Sequence, residues 1–271
     1  MSVLDDVLAD LAAEGERLDA LVAGLDEQGW RTPTPAEGWD IATTIAHLLW
    51  TDETSVLAAT DKERWDAVVM QAIEDPTGFV DTAALGLAGS LGGTDLLQRW
   101  RDSRAALEKA LRDVPEGTRL PWFGPPMSPA SMATARFMET WAHGLDVDDA
   151  LVTTGALTAW PEPTDRIRHV AHIGVRTRDY AFVNAGLEAP TEQFRIELTA
   201  PSGELWTWGP EDAAQRVSGS AYDFCTLATQ RRHRLDTDLV AEGPHADRWL
   251  DVAQAFAGPA GNGRDPKGAT A

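Results

Sequence analysis

Leucine recurs every seven residues near the start of the chain, at Leu4, Leu11, Leu18 and Leu25. Seven residues make about two turns of an α-helix, so these side chains share one face. The pattern predicts a long amphipathic helix over residues 3–28 that ends at Gly29. A helix with one apolar face must bury that face against other elements, so this half of the chain has to supply partner helices.

Three more long helices are predicted before residue 160. The second begins after Asp40, a favourable N-cap residue that follows a stretch containing Pro and Gly, and it runs to about residue 60. The third begins at Thr94 or Asp95 and ends before the next proline, and the fourth covers residues 131–150. Four long helices joined by segments without strand patterns favour a helix bundle, predicted here for residues 1–160.

Two connections in this half are longer than a bundle needs. Residues 61–93 form an insertion that contains a further predicted helix, residues 62–74, followed by a stretch rich in Gly and Ala. Residues 115–130 carry Trp122 and Phe123 among several prolines. Long connections of this kind form lids and pocket walls, or they pack as surface loops over the core. The sequence leaves both interpretations open.

The apolar period changes from helical to strand-like in the last third of the chain. Residues 161–189 are predicted to be a connecting helix and linker, and residues 190–257 a small α+β domain. The elements predicted inside that domain are a hairpin, a helix, a short strand and a last helix, at residues 194–199 with 205–208, 219–232, 237–241 and 246–256. The tail, residues 258–271, is rich in Gly and Pro and is predicted to be disordered.

Composition limits the partners and the kind of metal site. A net charge of -20 would repel nucleic-acid phosphates and anionic lipids, so neither is an expected partner. The single cysteine, Cys225, excludes an internal disulfide and a thiolate-rich zinc site. No apolar run reaches the ~18 residues of a membrane span, and the first residues lack the basic and apolar segments of a secretion signal. A cytoplasmic location is therefore expected.

Protein ligands for a metal must then be His and carboxylate side chains. Glu139 and His143 lie four residues apart, so they project from one face of the fourth helix. His47 on the second helix would complete a set of two imidazoles and one carboxylate, which suits a catalytic divalent metal with an open coordination position. The same spacing also fits solvated helix faces, and no spacing rule brings His47 to the pair.

Two segments resemble a known family. Gly38-Trp-Asp-Ile-Ala-Thr-Thr-Ile-Ala-His-Leu48 and Glu139-Thr-Trp-Ala-His-Gly-Leu-Asp146 are similar to the helix-two and helix-four motifs of the mycothiol-dependent maleylpyruvate isomerase family of DinB-like metalloproteins, above all to its metal-binding branch. The resemblance covers most of residues 1–260. It implies a DinB-like four-helix bundle followed by an α+β domain of sterol-carrier-like fold. It also implies a divalent metal, usually zinc, bound by His47, Glu139 and His143.

The resemblance further implies a catalytic arginine in the second domain. In thiol-dependent members this arginine ends a short apolar helix in the pattern Thr-Gly-Arg. Arg231 is the matching residue here, with Gln230 in place of the glycine. Asp146 is a candidate to orient His143, because carboxylates commonly hold the far nitrogen of ligand imidazoles.

The leading functional hypothesis is a metal-dependent enzyme, an isomerase or thiol S-transferase that acts on a small organic substrate with zinc, and with mycothiol as the candidate thiol. Two alternatives stay open. One is a thiol-independent enzyme of a biosynthetic pathway that uses the metal as a Lewis acid, such as a lyase, hydrolase or cyclase. The other is a non-enzymatic, metal-dependent protein that binds a small ligand. A monomer and a homodimer both fit the sequence.

Overall fold

The computed structural model describes residues 2–259, 261 and 263–268. The chain divides into two compact units, residues 1–160 and 161–271, and each buries its own set of apolar side chains. No helix in this described part of the chain combines the length and the apolar character needed to cross a membrane.

The first unit is helical. Its helices in chain order are α1 (Val3–Val22), α2 (Glu27–Trp30), α3 (Ile41–Thr60), α4 (Lys62–Glu74), α5 (Phe79–Ser90), α6 (Gly93–Asp113) and α7 (Pro129–Thr153). Helix α3 packs against α5, α6 and α7, while α1 packs against α6 and α7. These contacts bury a core that includes Leu18, Ile45 and Trp100. The helical N-terminal domain expected from the apolar periodicity is confirmed.

The first helix is shorter than its leucine pattern predicts. It ends at Val22 rather than at residue 28, because the side chain of Asp26 accepts a hydrogen bond from Gly29 N at 2.7 Å and caps a new short helix, α2. The Gly- and Ala-rich stretch after residue 74 also differs from expectation, since it forms α5. Its small side chains at Ala84 and Ala88 are buried, which lets α5 lie close to α3.

Asp40 caps α3 as predicted, and its removal should have a measurable effect. Its Oδ1 accepts hydrogen bonds from the Thr43 backbone N and Oγ1, both at 2.7 Å. The Asp40→Ala variant should lose about 1 kcal/mol of unfolding free energy, because both donors lose their acceptor. Urea denaturation followed by circular dichroism measures this loss. The exposed Glu37→Ala is the matched control, and equal midpoints for the two variants would contradict the capping role.

The second unit contains short helices and a small sheet. Its elements are a 3₁₀ turn (Asp165–Ile167), α8 (Arg168–Arg176), α9 (Arg178–Asn184), β1 (Phe194–Thr199), β2 (Leu205–Trp208), β3 (Gln215–Ser220), α10 (Ala221–Ala228), a 3₁₀ turn (Arg234–Asp236), β4 (Val240–Glu242) and α11 (Pro244–Val252). The strand order is β2-β1-β3-β4. Strand β1 pairs antiparallel with β2, as the predicted hairpin requires, and parallel with β3. The α+β character of this unit is confirmed.

Four element predictions in the second unit are wrong in detail. Residues 219–232 are not one helix, because β3 occupies residues 215–220 and Ser220 then caps α10 through its hydroxyl. The fourth strand and last helix occupy residues 240–242 and 244–252 rather than 237–241 and 246–256. The connecting helix breaks at Thr177, whose hydroxyl donates to Gln254 O at 2.6 Å.

Cys225 lies on α10 and is fully buried. Its Sγ donates to Ile167 O at 3.4 Å, and burial holds the pKa of the thiol well above its ordinary value. Its burial and its raised pKa are those expected of a structural cysteine in the core.

The tail after residue 257 is described only in part. Residues 260, 262 and 269–271 of the segment predicted to be disordered lie outside the described residues. The described ones form neither helix nor strand, and Gly258 O accepts hydrogen bonds from Tyr180 and Asn184. Disorder of the tail stays a prediction.

Candidate metal centre

His47, Glu139 and His143 lie together inside the first unit. Helix α3 carries His47, and α7 carries the other two residues one turn apart. Glu139 Oε2 is 3.4 Å from Nε2 of His47 and 3.4 Å from Nε2 of His143. The packing of α3 against α7 thus supplies the long-range contact that sequence spacing could not give.

The distances fit a tetrahedral divalent cation. With metal–ligand bonds of about 2.1 Å, two ligands of a tetrahedral site lie about 3.4 Å apart. Both contacts of Glu139 match that separation, and one ligand atom from each of the three residues lies within 4.8 Å of the others. A separation of 3.4 Å is long for a charge-assisted hydrogen bond, which is usually below ~2.9 Å. The donor set therefore fits a bound cation better than a direct histidine–carboxylate pair.

The protonation states suit coordination. Burial lowers the pKa of His47 to about 4, although the contact with Glu139 opposes this shift. Burial pushes the pKa of Glu139 up, but the interactions with His143 and His47 outweigh it and hold that pKa well below its usual value. Near neutral pH, His47 is a neutral imidazole and Glu139 a carboxylate. These are the forms in which the two side chains act as metal ligands.

Asp146 holds the far side of the His143 ring. Its Oδ2 lies 3.2 Å from His143 Nδ1, and its side chain is buried. A proton on Nδ1 shared with this carboxylate leaves Nε2 with its lone pair, directed at the same region as Glu139 Oε2. This arrangement fixes both the tautomer and the ring orientation of His143.

Gly144 has a structural explanation. A Cβ at this position would come within 2.6 Å of the guanidinium of Arg17 on α1, which crosses α7 here to reach Asp148 at 3.0 Å. Glycine next to His143 therefore leaves room for the Arg17 side chain to reach Asp148 on α7.

Trp39 covers both imidazoles, which the sequence did not indicate. Its ring centroid lies 5.2 Å from that of His47 and 5.6 Å from that of His143, and it stacks on His143 at 19°. Its Nε1 donates to Asp81 Oδ1 at 3.1 Å, which links the ring to α5. Trp39 directly precedes the N-cap Asp40, and no local sequence pattern reveals that its ring reaches the two imidazoles.

A buried ion pair lies one turn from Glu139 on α7. Arg136 Nε donates to Asp52 Oδ1 at 2.9 Å, and both side chains are almost fully buried. Burial raises the pKa of Asp52, while Arg136 opposes that rise. The pair joins α7 to α3, so it fixes the register in which Glu139 meets His47.

Five aromatic rings form a wall beside His47. This aromatic wall consists of Trp50, Trp65, Phe79, Trp122 and Phe123, from α3, α4, α5 and the loop before α7. It begins 6.5 Å from the His47 ring, at the ring of Trp50. Both long connections noted in the sequence, residues 61–93 and 115–130, contribute to it.

Arg231 belongs to the second unit and lies three residues after the end of α10. It is half-buried, and its Nη1 donates to Thr229 O at 2.7 Å. The preceding Gln230 has a positive φ of 60°. A left-handed backbone at this position explains why a glycine would be favoured there, and Gln230 adopts the same conformation at some cost in strain.

Comparisons with known proteins match the two units of the chain to different family models. The family model described as "Mycothiol maleylpyruvate isomerase N-terminal domain" matches residues 11–148, and one described as "Wyosine base formation" matches residues 190–242. Two Mycobacterium tuberculosis proteins described as uncharacterized, from strains CDC 1551 / Oshkosh and ATCC 25618 / H37Rv, are 55% identical over 257 residues, which is 95% of this chain and 97% of each relative.

Crystal structures of the mycothiol-dependent maleylpyruvate isomerase and of a histidine-to-alanine mutant have a similar fold. Each aligns with a TM-score of 0.54 at 16% identity, over 89% of this chain and 95% of the other. At this identity the likeness concerns the fold, with a helical first domain and a small α+β second domain.

Proposed function

Because this chain belongs to the mycothiol maleylpyruvate isomerase family, we propose that it is a divalent-metal-dependent enzyme, an isomerase or a thiol S-transferase acting on a small organic substrate. The observation that carries the proposal is the separation of 3.4 Å from Glu139 Oε2 to each of two imidazole nitrogens. Such a donor triangle has the dimensions of a catalytic metal site.

Each residue of the candidate metal centre has a separate proposed role. His47, Glu139 and His143 would hold the cation, and two nitrogens with one oxygen suit zinc, which catalytic sites bind with two histidines and one glutamate. Asp146 would keep His143 in the coordinating tautomer, and Trp39 would keep bulk water away from both rings. When bound, the cation would supply a Lewis acid with an accessible position, where a thiol ionises near neutral pH.

Mycothiol is the proposed thiol, on the basis of family membership. Arg231 is the proposed catalytic arginine, and its guanidinium would pair with a substrate carboxylate. The left-handed backbone at Gln230 supports this assignment, because it retains the loop shape that glycine would allow. The sterol-carrier-like fold of the second unit likewise remains a proposal.

A thiol-independent Lewis-acid enzyme is the second candidate function. The observation that favours it is the side chain of Gln230, which stands in place of glycine immediately before Arg231. A lyase, hydrolase or cyclase would use the same metal ligands but no mycothiol.

Metal analysis and calorimetry test the proposal in two stages. Protein loaded with zinc should retain about one equivalent after gel filtration, because three protein ligands converge on one point. Mycothiol titrated into that protein should release heat, and the signal should vanish after chelator treatment. Absence of metal uptake would remove the metal-dependent function. Zinc uptake without mycothiol binding would discard the thiol and leave the second candidate.

A further inference from the structure

The aromatic wall is continuous from the candidate metal centre to the surface. Trp50 lies one turn after His47 on α3, and its ring contacts Phe79 at 5.1 Å between centroids. Phe123 is 5.9 Å from Phe79 and 5.1 Å from Trp65. Aromatic pairs at these separations attract one another through both dispersion and ring electrostatics. The rings thus form one surface rather than separate side chains.

The aromatic wall has a buried part and a solvent-exposed part. Trp65 is 4% exposed and stacks on Trp122 at 19°, so these rings anchor the structure. Phe123 is 41% exposed and lies in a loop whose base is pinned by paired hydrogen bonds between the backbones of Leu120 and Met127. An exposed ring held in place by a buried ring is pre-organised to receive another flat group.

The charges around the triad in this unit do not favour an anionic substrate group at the wall. Arg136, one turn before Glu139, is 2% exposed and paired with Asp52, so its charge is already neutralised. The indole N–H of Trp39 is bound to Asp81. Beside His47 the wall therefore offers ring surface at Trp50, while polar contacts would come from the candidate metal ligands themselves.

We infer that the substrate carries a planar, apolar group, aromatic or conjugated, that packs against Trp50 and Phe123 while its polar end reaches the metal centre. This inference rests on the proposed function and names the substrate class of the same site. A short aliphatic diacid would leave Phe123 uncovered. A flat conjugated substrate covers it and gains ring–ring contact.

Three hydroxamates that differ only in their organic group provide the test. The hydroxamate group binds divalent metals in the same way in all three, so differences in affinity report on the organic group. Benzohydroxamate, cyclohexanecarbohydroxamate and acetohydroxamate are titrated by calorimetry into the full, zinc-loaded chain. Benzohydroxamate should bind at least about tenfold more tightly than acetohydroxamate, as expected for a ring that packs on other rings. It should also bind more tightly than the saturated ring of the same size.

The Phe123→Ala variant should reduce the preference for benzohydroxamate to about threefold or less. Its exposure makes this replacement compatible with folding, and retained zinc content checks that the centre is intact. Trp160→Ala is the matched control, since Trp160 is 54% exposed and bonded to Asp149 rather than placed in the wall. This control should keep the full preference.

The outcomes separate failure of the subsite from failure of the function. Equal affinity for benzohydroxamate and acetohydroxamate, with zinc bound, would overturn the substrate class and leave the metal centre. Equal affinity for benzohydroxamate and cyclohexanecarbohydroxamate would contradict the inference that the substrate group is planar. Absence of zinc uptake, or zinc uptake with no hydroxamate binding, would overturn the proposed open metal site and the inference with it.

Discussion

Replacement of His47, Glu139 or His143 by alanine should abolish stoichiometric metal binding and, with it, catalytic activity. Each residue offers one of three donor atoms that lie within 4.8 Å of one another, so a single loss would leave two ligands for a cation that prefers four. The expected fall in zinc affinity is on the order of a thousandfold or more, larger than the 10–100-fold typical for a residue that only supports a ligand. Elemental analysis after gel filtration and a competition assay with a chelating dye measure it.

Two further variants serve as controls, one with a smaller expected loss of zinc affinity and one with none. Asp146→Asn should weaken zinc binding by about 10–100-fold, because it disturbs the hydrogen bond to His143 Nδ1 but removes no ligand. His245→Ala removes a half-exposed histidine paired with Glu192 in the second unit and should leave zinc content unchanged. If the alanine variants at the three ligand positions retained zinc as the His245→Ala control does, the metal would have to bind elsewhere.

Loss of Arg136 should produce the largest change in stability. The Arg136→Met variant leaves the Asp52 carboxylate without its buried partner, and breaking such a pair reduces the unfolding free energy by about 3–5 kcal/mol. Burial already holds the pKa of Asp52 above its usual value, and removal of Arg136 should raise it further. The loss of stability should therefore be smallest at low pH, where Asp52 is protonated, and should grow as the pH rises through that pKa.

A double variant separates charge from packing. Asp52→Leu combined with Arg136→Met removes both charges, so it should be less destabilising than Arg136→Met alone. Lys62→Met, which breaks an exposed pair with Asp66 on α4, is the surface control and should change stability by less than about 1 kcal/mol. Denaturant titrations followed by circular dichroism provide the comparison. Additive effects of the two buried replacements would contradict a direct ion pair.

The helices of the first unit were predictable because their signals are local. Asp40 and the apolar period identify α3, and Lys62–Glu74 matches the predicted helix. Helix α5 was missed because glycine and alanine have little apolar periodicity, and only packing against α3 makes this stretch helical. The strand β3 was missed because its pairing with β1 is a long-range contact that no short pattern records.

The candidate site was predictable only in part. Helical spacing alone places Glu139 and His143 on one face, but the meeting with His47 depends on how α3 packs against α7. The Asp52–Arg136 pair lies on the same two helices, and neither residue has a local partner that would reveal it. The aromatic wall draws on four separate segments, so its existence is a property of the fold rather than of any motif.

The burial of Cys225 has a consequence for its reaction with small thiols. Mixed disulfides form by attack through an accessible thiolate, and this sulfur is neither accessible nor readily ionised. The folded chain can therefore meet an oxidised low-molecular-weight thiol repeatedly without being capped by it. An alkylating reagent would modify this sulfur only when the second unit opens. The rate of its alkylation would therefore report how often that unit opens.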